Sequence, residues 1–165
     1  MSGNWIAVYS LFVVSSLCAA AEPIGAHNPS VPELEVLERM AGTWEASFGG
    51  SDEVIRSTRI WVLDGRFLKH EFAVSNGALR GIIYRGYDQK NARYTLTFLD
   101  SQGNVSLLAG HWDAEQKTLR LDAVDSSCPV RRYESSFLDD STEQWTIQIQ
   151  GDELTEVSGV AKKTP

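Results

Sequence analysis

From Thr43 onward, apolar and polar residues alternate with a period of two, and short polar breaks interrupt the alternation at regular intervals. Successive side chains of a strand point to opposite faces, so the pattern is that of strands with one buried and one wetted face. It predicts strands over 43–48, 54–63, 66–74, 78–87, 93–100, 105–112, 118–124, 131–138, 143–149 and 154–162. The breaks carry turn chemistry, above all Asp64-Gly65 and Asn76-Gly77, whose residues tolerate the positive φ of tight hairpins. Ahead of the strands the period is helical. Leu34, Leu37 and Met40 form one stripe, Pro32 suits a first turn, Glu33 and Glu35 lie near the positive end of the dipole, and Gly42 stops the segment.

No link between the ten strands is long enough for a crossover helix, so the sheet must be an antiparallel meander. An open sheet of that width exposes two long edges, and closure removes them. The expected fold is all-β: a closed up-and-down antiparallel barrel of about ten strands with a short N-terminal helix. The apolar phase of each strand then points inward. Leu119, Leu121 and Ala123 form one such set, Trp145, Ile147 and Ile149 another, and Tyr94, Leu96 and Phe98 a third. Leu68, His70, Phe72 and Val74 share one side of the third strand, less cleanly separated from its other phase.

The beginning of the chain reads differently. An almost wholly apolar run from Trp5 to Leu17 is followed by small residues, Cys18 to Ala21, and then by Glu22-Pro23. This is the pattern of a secretory signal peptide, here 1–21, although no basic residue precedes the run. Leu17 is large for the residue before a lipidated cysteine, which counts against an anchor on Cys18. Residues 22–32, with three prolines, are expected as a flexible leader, and 33–165 as the barrel domain. After cleavage only Cys128 is left, so the mature chain has no disulfide within it. Beside Pro129 it reads as a small residue at a strand margin; a reactive thiol would need Arg131 or Arg132 close in space.

Charge removes two classes of partner. With 15 basic and 22 acidic residues the net charge is −7, which offers no clustered cations for nucleic acid and would be repelled by anionic lipid. The expected chain binds no nucleic acid and no membrane once the signal is removed. Its oligomeric state is left open.

Gly42-Thr43-Trp44, after a short helix and at the start of the first strand, resembles the Gly-x-Trp signature of the calycin superfamily. Further motifs follow in order: Trp61-x-Leu63-Asp64-Gly65-Arg66-Phe67-Leu68, Gly86-Tyr87-Asp88, Asp100-Ser101, Gly110-His111-Trp112-Asp113 and Lys117-Thr118-Leu119. Together they resemble a bacterial domain-of-unknown-function family, collected largely from planctomycete genomes and grouped with the lipocalin-like barrels. The resemblance runs from about Leu34 to Lys163. It implies a barrel of the lipocalin and fatty-acid-binding-protein kind and no assigned activity. It also implies that Trp44 closes the barrel base, with a basic residue of the last strand, Lys162 or Lys163, packed over it as a structural device.

Candidate chemistry is sparse. His27, His70 and His111 have no short ligand spacing, and a metal site needs three or four convergent ligands, so no metal is expected. Nitrobindin-like barrels hold haem through a histidine on a late strand, and no histidine follows His111 here, so no cofactor is expected either. Adjacent His70 and Glu71 face opposite ways and cannot form a dyad. An enzyme would have to combine a histidine with a tyrosine or an acid from elsewhere. A filled barrel acting through outer aromatics, about Trp61 or Trp112, is a further alternative. The preferred expectation is a small, largely apolar ligand inside the barrel, lined by Trp61, His70, Phe72, Tyr84, Tyr94, Phe98, His111, Tyr133 and Trp145, with the two histidines orienting it.

Overall fold

The computed structural model describes residues 25–49 and 53–164. The expected signal peptide, Cys18 within it, and the first residues of the leader lie outside the described residues. A 3₁₀ turn, Pro32–Leu34, runs into one α-turn, α1 (Glu35–Glu38). Ten strands follow: β1 (Gly42–Phe48), β2 (Val54–Val62), β3 (Phe67–Val74), β4 (Arg80–Asp88), β5 (Arg93–Asp100), β6 (Val105–Asp113), β7 (Thr118–Ala123), β8 (Val130–Asp139), β9 (Thr142–Gln150) and β10 (Leu154–Thr164). Each pairs antiparallel with its sequence neighbours, and β1 closes on β10, so the expected all-β barrel is the observed one.

The strand limits move for local reasons. Strand β4 starts at Arg80 rather than at 78 because the turn takes two more residues: the Val74 N–H donates to the Leu79 carbonyl, and the Asn76 side chain accepts from the Ala78 N–H. The end of β10 extends to Thr164 because Thr43 of β1 pairs there, which is the closure itself.

One end of the barrel is plugged. Trp44, Leu68, Leu96, Leu108, Leu119 and Leu121 point into it and are fully buried, and the short helix presses Leu34, Leu37 and Met40 onto them. Two apolar turns this short would not hold a helix in water; burial of their stripe does. The Trp44 indole N–H donates to the Met40 carbonyl at 2.8 Å, tying the helix end to the first strand. The Lys163 ammonium stands 5.3 Å from the centre of the Trp44 ring, and the Arg59 guanidinium 4.6 Å from it. Gly42 is needed at the entry to β1. Its φ is +122°, and a Cβ there would lie 3.1 Å from Lys163 Cε.

The segment expected as a mobile leader lies along this same end from Gly25 onward. The Asn28 N–H donates to the Gly65 carbonyl at 2.9 Å, Val31 is buried, and the Trp61 indole N–H and the His27 ring both bond the Glu38 carboxylate. Gly65 permits the approach, since a Cβ there would stand 2.5 Å from the Ala26 carbonyl oxygen. Bonded and half-buried backbone of this kind is ordered by the barrel wall, which its proline content does not reveal.

If the helix is the plug, truncating its most buried side chain should be felt by the whole barrel. Leu37→Ala, at a position with no exposed surface, is expected to lower unfolding free energy by about 2–5 kcal/mol, read from urea denaturation.

Candidate ligand cavity

Above the plug the barrel interior does not fill. A cavity of about 300 Å³ opens toward the far end, where the links β3–β4, β5–β6 and β7–β8 lie. This is at the lower limit of small-ligand pockets, which run to roughly 300–1,000 Å³. Its walls are aromatic and aliphatic, with Phe48, Ile55, Phe72, Phe98, Trp145 and Ile147 among them. Rings meet across it: Phe72 and Phe98 centroids are 5.7 Å apart, and Phe48 meets Trp145 edge-on at 6.0 Å.

The floor of the cavity is a buried polar cluster. Glu143 of β9 has no exposed surface and accepts from Arg59 Nη1 of β2 at 2.5 Å, from Ser135 Oγ at 2.5 Å and from Tyr133 Oη at 3.0 Å. Arg85 of β4 donates through Nη2 to Tyr133 Oη at 3.1 Å and through Nη1 to His70 Nδ1 at 3.0 Å. Because Nδ1 accepts, the neutral His70 ring carries its proton on Nε2. That proton has no partner, and neither do the Nε–H groups of Arg59 and Arg85.

Burial and the two guanidiniums act on each titratable member. Burial first, then Arg59 and Arg85, hold His70 well below the ordinary histidine range, so it is neutral at physiological pH. Burial pushes the Glu143 carboxyl up, but Arg59, Arg85 and the Ser135 hydroxyl outweigh it and hold it below its usual range. Burial also raises the Tyr133 phenol. The floor thus carries two positive charges, one negative charge and two neutral proton carriers.

The nine expected lining residues divide three ways. His70, Phe72, Phe98, Tyr133 and Trp145 line the cavity. Trp61 and Tyr94 point inward but into the plug, where the Tyr94 hydroxyl donates to the Glu33 carbonyl at 2.7 Å and burial lifts its pKa to about 12. Tyr84 and His111 lie on the outer face and are corrected out of the lining: their strand neighbours Ile83, Arg85, Leu108 and Ser106 hold the buried phase. Trp61 and Trp112 are not outer-surface aromatics either, since Trp61 is buried and Trp112 packs on Phe137 in the core.

Arg59, Arg85 and Glu143 were not anticipated, although strand parity pointed to two of them. Glu143 is two residues from inward Trp145, and Arg59 two from inward Trp61. For β4 the apolar residues fall on both phases, Ile82 and Tyr84 on one, Ile83 and Tyr87 on the other, so alternation gives no answer for Arg85. Cys128 is buried at the margin of the mouth, its thiol against the Leu107 carbonyl, while Arg131 bonds the Asp125 carbonyl and Arg132 the Asp122 carboxylate, not the sulfur.

A family model described as "Protein of unknown function (DUF1579)" matches residues 30–158, which takes in the plug helix and nearly the whole barrel. The chain belongs to this family. No curated protein matches it. The match to the DUF1579 family assigns no chemistry, so the chemistry of this member has to be read from its cavity. Among its described residues no three His, Cys, Asp or Glu side chains converge as a metal site.

Two consequences of the floor are measurable. Glu143→Gln takes the carboxylate from buried Arg59, and is expected to cost about 3–5 kcal/mol of unfolding free energy in urea denaturation. Secondly, His70 is kept neutral by the fold, so between its lowered folded pKa and the ordinary value of about 6.5 the unfolded chain binds a proton that the folded chain does not. Stability should then be level above about pH 6.5 and fall below it by up to about 1 kcal/mol per pH unit. Glu143, with its pKa also depressed, adds its own loss only at lower pH, through the carboxylate range. In denaturation curves taken across pH, His70→Gln should flatten the first decline and leave the second.

Proposed function

We propose that this protein is an exported, lipocalin-like carrier or receptor that holds a small, largely apolar molecule in its barrel and performs no catalysis on it. The observation that carries the proposal is the cavity of about 300 Å³ walled by Phe48, Phe72, Phe98 and Trp145. An apolar cavity of that size is a standing cost to the fold, because its lining forgoes contact on one side. A ligand returns that contact, and its affinity is drawn from the same source.

The electrostatics of the floor favour binding over catalysis. A general base should titrate near the working pH, whereas His70, flanked by Arg85, is a weak base. A general acid should release its proton readily, whereas burial raises the Tyr133 phenol. Groups held so firmly in one protonation state position a ligand better than they exchange protons with it.

The calycin relationship rests on the short helix, Gly42-Thr43-Trp44 and the lysine over the indole. Export rests on the apolar run and small residues at the start of the chain, and a bacterial, planctomycete-type source on the run of motifs. The outer barrel face carries Arg56–Glu45, Arg120–Glu134 and Arg132–Asp122 pairs, which suits water on that face and not lipid. With the net acidity, this supports a partner that is neither nucleic acid nor membrane.

The test uses a neutral apolar fluorophore, N-phenyl-1-naphthylamine, whose emission rises in apolar surroundings. Saturable enhancement is expected with the wild-type barrel. Val157→Trp, which adds an indole to the cavity wall, should abolish it while leaving the fold's circular dichroism intact. A flat titration with folded wild-type protein would overturn the binding reading.

A further inference from the structure

The polar floor has an imbalance that the apolar walls do not explain. Glu143 is the one carboxylate buried in the cluster, and its oxygens are taken: Arg59 holds one, and Tyr133 with Ser135 holds the other. Arg85, with 1% of its surface exposed, has only neutral partners, the His70 ring and the Tyr133 hydroxyl. A guanidinium cannot shed its proton, so burial without a counter-charge is costly. The cluster therefore carries one uncompensated positive charge beneath an apolar shaft.

Hydrogen-bond polarity points the same way. The unpartnered atoms of the cluster are His70 Nε2, Arg59 Nε and Arg85 Nε, and all three are donors. A neutral alcohol or amide would bring donors of its own to a site that already has a surplus. A carboxylate accepts only, through two oxygens, and supplies the missing charge. The other acid of the lining, Asp100, lies at the strand end by the mouth, where Asn104 and the turn backbone bind it.

We propose that the barrel takes amphipathic monocarboxylates, tail toward the mouth and carboxylate on Arg85 and the His70 Nε2 proton at the floor. The site rests on the binding reading above and assigns its ligand class. From Arg85 to the strand end at Arg80 is five residues, or about 16 Å at the usual rise, which matches a medium-length tail. Phe72, Ile83 and Phe98 flank that path. No bond is made or broken, so the site stores or passes on its ligand unchanged.

The experiment is a head-group series on the wild-type protein. Decanoate, 1-decanol and decyltrimethylammonium, each below its micelle concentration and at mildly alkaline pH, compete with N-phenyl-1-naphthylamine. Decanoate is expected to displace the probe at roughly ten-fold lower concentration than decanol, as a charge-assisted hydrogen bond to a buried guanidinium would give, and the cation least well of the three. Arg85→Met should remove the advantage of decanoate over decanol. If the probe binds but decanol equals or beats decanoate, the carboxylate inference is overturned and the apolar-ligand reading stands. If the cation wins, Glu143 is the receiving group and the inference is likewise overturned. If the probe does not bind at all, both fall. Because the wild-type series decides between heads without any substitution, a failure of Arg85→Met to fold would not shield the proposal.

Discussion

Glu143 divides the barrel. A carboxylate with no exposed surface survives in a β-barrel only if the interior brings charge and donors to it, and here four strands do so: β2 with Arg59, β8 with Tyr133 and Ser135, β9 with Glu143 itself, and β4 with Arg85 through the tyrosine hydroxyl. Below that level the interior is buried hydrocarbon and indole, packed by the N-terminal helix. Above it the interior is a cavity. A charged layer cannot be covered by apolar side chains without leaving donors unmet, which is one physical reason why packing stops where it does.

Division of this kind separates stability from function. The plug has the helix stripe, Trp44 with its bond to Met40, and the leucine layer from four different strands, all of it packing that lies outside the cavity. The pinned leader adds to it through Asn28, Val31 and the Glu38 carboxylate shared by His27 and Trp61. Residues at the open end then have fewer packing duties. An Asp100 turn, a buried thiol and a ring of aromatic and aliphatic side chains can occupy it without setting the fold.

The division also decides what could be read from the chain alone. Barrel, strand order and the short helix were legible because they rest on alternation, turn residues and the helical stripe, which are local signals. The apolar wall was half legible: Phe98 and Trp145 sit on strands whose apolar phase is clean, and Phe72 on one where it is less so. Tyr84 and His111 were misplaced because β4 and β6 carry apolar residues on both phases, Ile82 against Ile83 and Leu107 against Leu108. Trp61 and Tyr94 faced inward as parity requires, but alternation fixes a face and not a height, and both lie too near the plugged end. The floor was least legible. A charged residue counts as outward in any pattern argument, so Arg85 erased the very signal that would have located it.

A buried arginine in an inward phase therefore says more than a hydrophobic one. An apolar side chain inside a barrel is accounted for by burial alone and needs no partner, whereas Arg59 and Arg85 each need an anion within the same low-dielectric space. Arg59 has it in Glu143 at 2.5 Å. Replacing such a pair by apolar residues of similar volume is often neutral or stabilising, so stability alone is a weak reason for either arginine to be there. Arg85 is the less explicable of the two on stability grounds, since its partners are neutral and its Nε–H is unmet. What a second guanidinium adds is a fixed direction for acceptors at the bottom of an apolar shaft, held by β3, β4 and β8 together, and it is on this that the proposed carboxylate site rests.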